Sequence, residues 1–298
     1  MEAEAALTWL WSWWLARVNR MEDARPLAAV RIGVSIALVL DLLNVLRLGL
    51  VDVLFIPYDA GGLSDVQDSA YVLGSWLPPT FAGRLLFGTS LGCFVMTGLG
   101  VLTRPATIIG VLAYAQLGHL YPPGDRAIDR LLRSVLLILL FSGAHRRWAL
   151  GGGEAVQQVR GWASDLIRTL LVVLYMSAGI SKLMMQPRWL ALHGTPVLYR
   201  IMTDPLAAHM DPVAMMDWTW PLRVLGWGTI LMECSGFLIY TRLAPYWAVP
   251  GLMMHLGIAF TMELGMFSWG MMAFYPLLFA PWWLPRLIRR DPAAGAAP

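Results

Sequence analysis

Runs of apolar residues, each close to the length of a bilayer crossing and separated by polar or turn-rich stretches, organise this chain. They fall at approximately 27 to 48, 85 to 103 and 106 to 121, with a fourth ending near FSGAHRRW, a fifth opening at residue 165, and three more at approximately 222 to 241, 246 to 262 and 265 to 284. The pattern predicts an all-α, polytopic integral membrane helix bundle of about eight transmembrane helices. Ahead of it, LTWLWSWWLARV places Trp9, Trp11, Trp13 and Trp14 before Arg17 and Arg20, which predicts an amphipathic helix lying in the membrane interface over residues 1–22. The bundle is then expected over 23–285. A basic tail follows over 286–298, disordered beyond about Asp291.

The polar stretches refine this picture. Arg31, Asp41 and Asn44 interrupt the first run and should face the protein interior or an aqueous cavity. The long connection after it, containing YDAGGLSDVQDSAY and ending in SWLPP, is acidic and turn-rich and is expected to form an ordered cap. A second long connection, 185 to 221, carries Asp204, Asp211 and Asp217. The second and third runs form a hairpin broken at Arg104 and Pro105, and RRWALGGGEAVQQVRGWASD reads as a short basic linker. Arg130 and Arg133 stand one helical turn apart and share a face. With Asp125 and Asp129 they make either a charge cluster at the mouth of the bundle or a solvated helix start with an acidic first turn. Arginines concentrate on alternate connections, so the positive-inside rule places both termini in the cytoplasm and Lys182 with the two acidic loops towards the outer face.

Composition agrees with a membrane class and narrows the partners. Of 298 residues 58% are apolar and only 14% charged, which excludes an ordinary soluble domain. The net charge of +3 is scattered, with no arginine-rich stripe, so no nucleic-acid partner is expected. Cys93 and Cys234 both lie in apolar runs with no ligand at metal-binding spacing, so neither a disulfide nor a metal site is expected.

One residue type is used once. Lys182 is the only lysine, and the other 21 basic residues are arginines. A guanidinium does not release its proton in proteins, whereas an amine held away from water can. Lys182 is therefore a candidate base, against the plainer reading of a lysine that reaches from a helix end to the headgroups. Met184, Met185, Pro187 and Trp189 continue the apolar surface beyond it, and Ser177, Ala178, Gly179 and Ser181 before it allow a helix or flat ligand to approach closely. Elsewhere His255 stands mid-span, where a neutral imidazole needs a partner. Glu233, the acidic residue deep in the sixth run, is the candidate, in a pair that either holds helices together or takes part in chemistry. Glu263, at the far end of the seventh run, is expected to join the polar cluster of Lys182.

YMSAGISKL followed by a tryptophan, HLGIAFTMELGMFSWGMM over 255–272, and GDRAIDRLLR together resemble the vitamin K-dependent gamma-carboxylase and its bacterial relatives, the horizontally transferred transmembrane (HTTM) domain family. The resemblance spans about residues 25 to 285. It implies a bacterial cytoplasmic (inner) membrane protein whose cofactor is a reduced naphthoquinone, vitamin K or menaquinone hydroquinone. Lys182 would be the base that deprotonates it. Reaction with oxygen would then make a base strong enough to take a glutamate γ-proton, and carbon dioxide would add to the carbanion. Met266, Phe267, Ser268 and Tyr175 would line the quinone site, and His145 aligns with a functional histidine of the carboxylase. The animal enzyme carries a large extramembrane region after its bundle; here the chain ends within about 15 residues of the last apolar run, so the two long loops would recognise a secreted peptide or protein substrate. Short bacterial members also resemble the membrane protein that matures a sporulation-delaying peptide toxin, which implies an alternative, non-catalytic maturation or immunity role. A transporter fits less well, because no paired repeats are visible.

Overall fold

Proline and glycine decide where most of these helices start and stop. The computed structural model describes residues 2–64, 77–151, 156–185, 187–206, 208 and 210–290. Part of the first long loop and the tail expected to be disordered beyond Asp291 lie outside the described residues. The chain groups into two compact units, residues 1–164 and 165–298.

In the first unit α1 (Glu2–Asn19) leads into a strand, β1 (Met21–Asp23), and then α2 (Arg25–Arg47), which starts with Pro26 in its first turn. A short α3 (Val51–Phe55) follows. The helix α4 (Pro79–Leu99) opens on a proline and closes at Gly100, whose φ of 76° is the left-handed conformation that ends helices. Next come α5 (Thr103–Leu120) and α6 (Ala127–Ser142). At the start of α6, Asp129 accepts from the Arg126 backbone N–H at 3.0 Å, and Gly143 at φ 81° ends the helix. The core consists of apolar faces of α2, α4, α5 and α6, among them Leu38, Phe94, Leu117 and Leu136. Gly110 permits close helix approach: a Cβ there would lie 2.8 Å from Cys93 Cβ.

The stretch read as a short basic linker contributes a second strand, β2 (Gln158–Arg160), paired antiparallel with β1 through Met21↔Arg160, Glu22↔Val159 and Asp23↔Gln158. This two-stranded ribbon departs from a purely α-helical fold. Three residues per strand give too little side-chain alternation to register in the pattern.

The second unit contains α7 (Trp162–Met185, from Asp165 onward), α8 (Val197–Met202), α9 (Thr219–Cys234), α10 (Ala244–Thr261), α11 (Phe267–Met272), α12 (Tyr275–Leu278) and α13 (Ala280–Arg290). Two of the eight expected crossings are not continuous helices. The sixth run turns from α-helix to a 3-10 segment over Gly236–Tyr240. The eighth breaks into α11, α12 and α13, with Pro276 in the first turn of α12 and Pro281 in the first turn of α13, where a missing N–H does no harm. Among the described residues three helices are long and apolar enough to cross a membrane by themselves: Arg25–Arg47, Thr80–Leu99 and Trp162–Met184. The molecule is a mostly helical membrane protein.

Candidate functional site

Lys182 occupies the last turn of α7, and a small residue one turn earlier determines what it meets. A Cβ on Gly179 would lie 2.7 Å from Cys234 Sγ, 2.8 Å from the Cys234 backbone nitrogen and 3.0 Å from Glu233 Cβ. Only a glycine lets the end of α9 come this close. The result is that Lys182 Nζ donates to both Oε1 and Oε2 of Glu233, each at 2.7 Å. The amine also sits 5.4 Å from the centroid of the Trp189 ring, a cation–π distance. Lys182 retains 20% exposure and Glu233 9%, so the pair is set into the unit and not extended into solvent. Two protonation arrangements fit this geometry: an ion pair, or a neutral amine beside a carboxylic acid with one proton moved across the 2.7 Å contact.

Glu233 is thereby taken, and the expected Glu233–His255 pair is not formed. His255 Nε2 instead shares a 2.8 Å hydrogen bond with the Tyr175 hydroxyl, which lies 3.2 Å from the Tyr275 hydroxyl. The correction has a geometric reason: Glu233 lies in the last turn of α9 and reaches Lys182, while Tyr175, seven residues before Lys182, lies about 10 Å back along the same face of α7. Tyr175 is fixed by an edge-on contact with Trp247 at 4.9 Å. The Trp247 indole N–H in turn donates to Met232 O and Ser235 Oγ, both at 3.1 Å.

Phe267 flanks this group, with its ring 5.7 Å from His255. Ser268 is buried, and its Oγ, like His255 Nδ1, is enclosed without a hydrogen-bond partner. Buried polar atoms are rarely left unpaired without a reason. Atoms of this kind, one of them on the imidazole beside the Phe267 ring, are ones that hydroxyl groups of a bound ring would pair with. A cavity beside Trp189, lined also by Leu198, Leu222 and Arg223, encloses only about 10 Å³ of free space and is too small for a two-ring head. Met266 is half-buried immediately before α11, and Glu263 is exposed between α10 and α11. The second unit thus groups Lys182 with Glu233, and Tyr175 with His255 and Phe267. Tyr275, which the sequence did not single out, enters through the 3.2 Å contact between phenols. No group of His, Cys, Asp and Glu among the described residues is arranged to hold a metal ion.

The remaining sequence candidates belong to the first unit. Arg130 Nε and Arg133 Nη1 both grip Asp125, at 2.9 and 2.8 Å. Burial raises the Asp125 carboxyl, but the hydrogen bonds from Arg133 and Arg130 more than reverse this and hold it below the ordinary carboxylate range. Asp129 is not part of that grip. It binds Arg126 at 2.8 Å, and Arg126 also reaches Asp41 at 2.6 Å, while the buried Tyr114 hydroxyl donates to Asp129 at 3.0 Å. The spacing of Arg130 and Arg133 was visible in the sequence, but the link from Arg126 to Asp41, 85 residues away, was not. His145 sits in a 3-10 turn just after α6, where burial, with Arg104, Arg146 and Arg31 nearby, pushes its imidazole down to about 4.

Long apolar helices in both units and a lysine–carboxylate pair at the end of α7 define a helical membrane protein with a candidate acid–base site. The chain belongs to the HTTM domain family, whose model matches residues 19–283. No curated protein and no solved structure matches it.

Proposed function

We propose that this HTTM protein is a membrane enzyme core related to the vitamin K-dependent gamma-carboxylase, using a reduced naphthoquinone, oxygen and carbon dioxide to modify a peptide or small substrate. The observation that carries the reading is the Lys182–Glu233 pair, the chain's single lysine held by a carboxylate at 2.7 Å. A bound vitamin K or menaquinone hydroquinone would supply an acidic hydroxyl and the electrons for reaction with oxygen. Lys182 and Glu233 accept that proton as a unit: in the ion-paired form a proton taken up by the amine requires one passed on to the carboxylate. Phe267 and Met266 offer ring contacts. Ser268 Oγ and His255 Nδ1 offer the unsatisfied polar atoms, and the Tyr175–Tyr275 phenols orient His255. The arginine distribution supports an inner-membrane placement with both termini cytoplasmic, and the two long connections are where a secreted peptide would be recognised.

Lys182→Ala and Lys182→Arg should both abolish consumption of reduced naphthoquinone by the purified protein while leaving it folded, because a guanidinium cannot release its proton. Glu233→Gln should lose turnover to a similar degree. Wild-type consumption by the Lys182→Arg variant would refute the base assignment. A non-catalytic maturation partner would instead tolerate all three changes.

A further inference from the structure

Among its described residues, the first unit contains a buried charge with no counter-charge. Arg31 on α2 is 1% exposed. Its Nη1 donates to His145 O at 2.7 Å, and its Nη2 donates to Arg147 O at 3.2 Å and to Trp148 O at 2.8 Å. These bonds hold a tight turn in which Trp148 takes a φ of 49°. They account for both terminal nitrogens but not for Nε, which is enclosed without a partner. Carbonyl oxygens also leave the guanidinium charge unneutralised. Among the described residues no carboxylate lies within 4 Å of Arg31, Arg104, Arg146 or Arg147, although burying an unpaired charge is costly.

Beside Arg31 lies a small cavity of about 10 Å³, the room one water-sized particle needs. Its polar lining comes from Arg31, His145, Thr97, Thr103 and Thr107, and leucines of α6 close the rest. Thr97 and Thr107 are buried, with their hydroxyls 3.3 Å apart. The α5 helix begins at Thr103, so its positive end faces the same region. His145 Nδ1 is a second enclosed nitrogen without a partner. Several groups here can present a hydrogen: the guanidinium Nε–H, the imidazole in its Nδ1–H tautomer, and whichever of the Thr97 and Thr107 hydroxyls is not donating to the other.

We propose that this cavity is a binding site for a small monovalent anion of halide size, chloride in the cell, which neutralises Arg31 and takes hydrogen bonds from Arg31 Nε–H, a threonine hydroxyl and His145. Room for about one water-sized particle favours a single-atom anion over carboxylates and phosphates. A water molecule would satisfy the geometry but leave the charge uncompensated. The site lies apart from the acid–base groups of the second unit in chemistry and in sequence, and its presence does not depend on the proposed reaction.

The test uses the full-length protein purified in detergent with sodium gluconate, into which sodium chloride or bromide is titrated at constant ionic strength. Thermal unfolding is followed by tryptophan fluorescence, and chloride binding by broadening of the 35Cl resonance. The expected result is a saturable rise in the unfolding midpoint with both halides, together with excess line broadening. Thr107→Val removes one hydroxyl at nearly unchanged shape and should raise the half-saturating halide concentration by about tenfold or more, the worth of a hydrogen bond to a charged group. Thr97→Val provides the same measurement if the first variant does not fold. Equal midpoints in chloride and gluconate, with no excess broadening, would overturn the proposal in favour of water. A halide effect unchanged in both threonine variants would overturn it by locating the anion elsewhere.

Discussion

Truncating Glu233 probes the contact on which the candidate site is built. At about 3 Å and an effective dielectric near 20, two unit charges attract by about 5 kcal/mol, a gross figure from which desolvation must be subtracted. Removing one partner of a buried pair typically costs about 3–5 kcal/mol, because the other charge is left behind. Lys182 keeps 20% exposure and can draw partly on water, so the expected loss for Glu233→Leu is lower, about 2–4 kcal/mol. Lys182→Met should cost a similar amount for the mirror-image reason. In the double variant Lys182→Met/Glu233→Leu neither charge remains, and apolar side chains face each other across the Gly179 contact. Its loss should therefore fall short of the sum of the single losses by at least about 2 kcal/mol. Equilibrium unfolding in mixed detergent micelles, read by tryptophan fluorescence, measures all three. Additive losses would mean that the two charges do not interact in the folded protein, and the proton-sharing unit would have to be abandoned.

Two further expectations test its surroundings. Gly179→Ala should destabilise by about 1–3 kcal/mol by forcing α7 from Cys234 and Glu233, whereas Gly257→Ala, with nothing within 4 Å of its added methyl, should be neutral or gain up to about 1 kcal/mol; the same unfolding assay compares them, and equal effects would contradict the close approach. His145 takes its proton near pH 4 in the folded chain and near 6.5 when unfolded, so its contribution is fully present above pH 6.5 and is lost as pH falls towards 4; at fixed chloride, His145→Gln should flatten the stability profile in that window, and an unchanged profile would refute the assignment.

The apolar runs, the single lysine and the family were legible from the chain because length, hydropathy and residue type are local quantities. The breaks at Gly236 and in the last run were less visible: a window of apolar residues reads alike whether the helix runs through or restarts at Pro276 and Pro281. The partner of Lys182 could not be read at all. Glu233 was noticed but assigned to His255, since both are polar groups in apolar segments and sequence separation says nothing about which ends of which helices meet. That choice belongs to packing: Gly179 brings the end of α9 against α7, so the carboxylate reaches the amine, while Tyr175, two turns back, is left for the imidazole. Sequence alone determined that this chain is a membrane protein of the HTTM family with a single lysine. Tertiary structure decided what that amine touches, because a contact between residues 51 positions apart depends on how closely two helices approach.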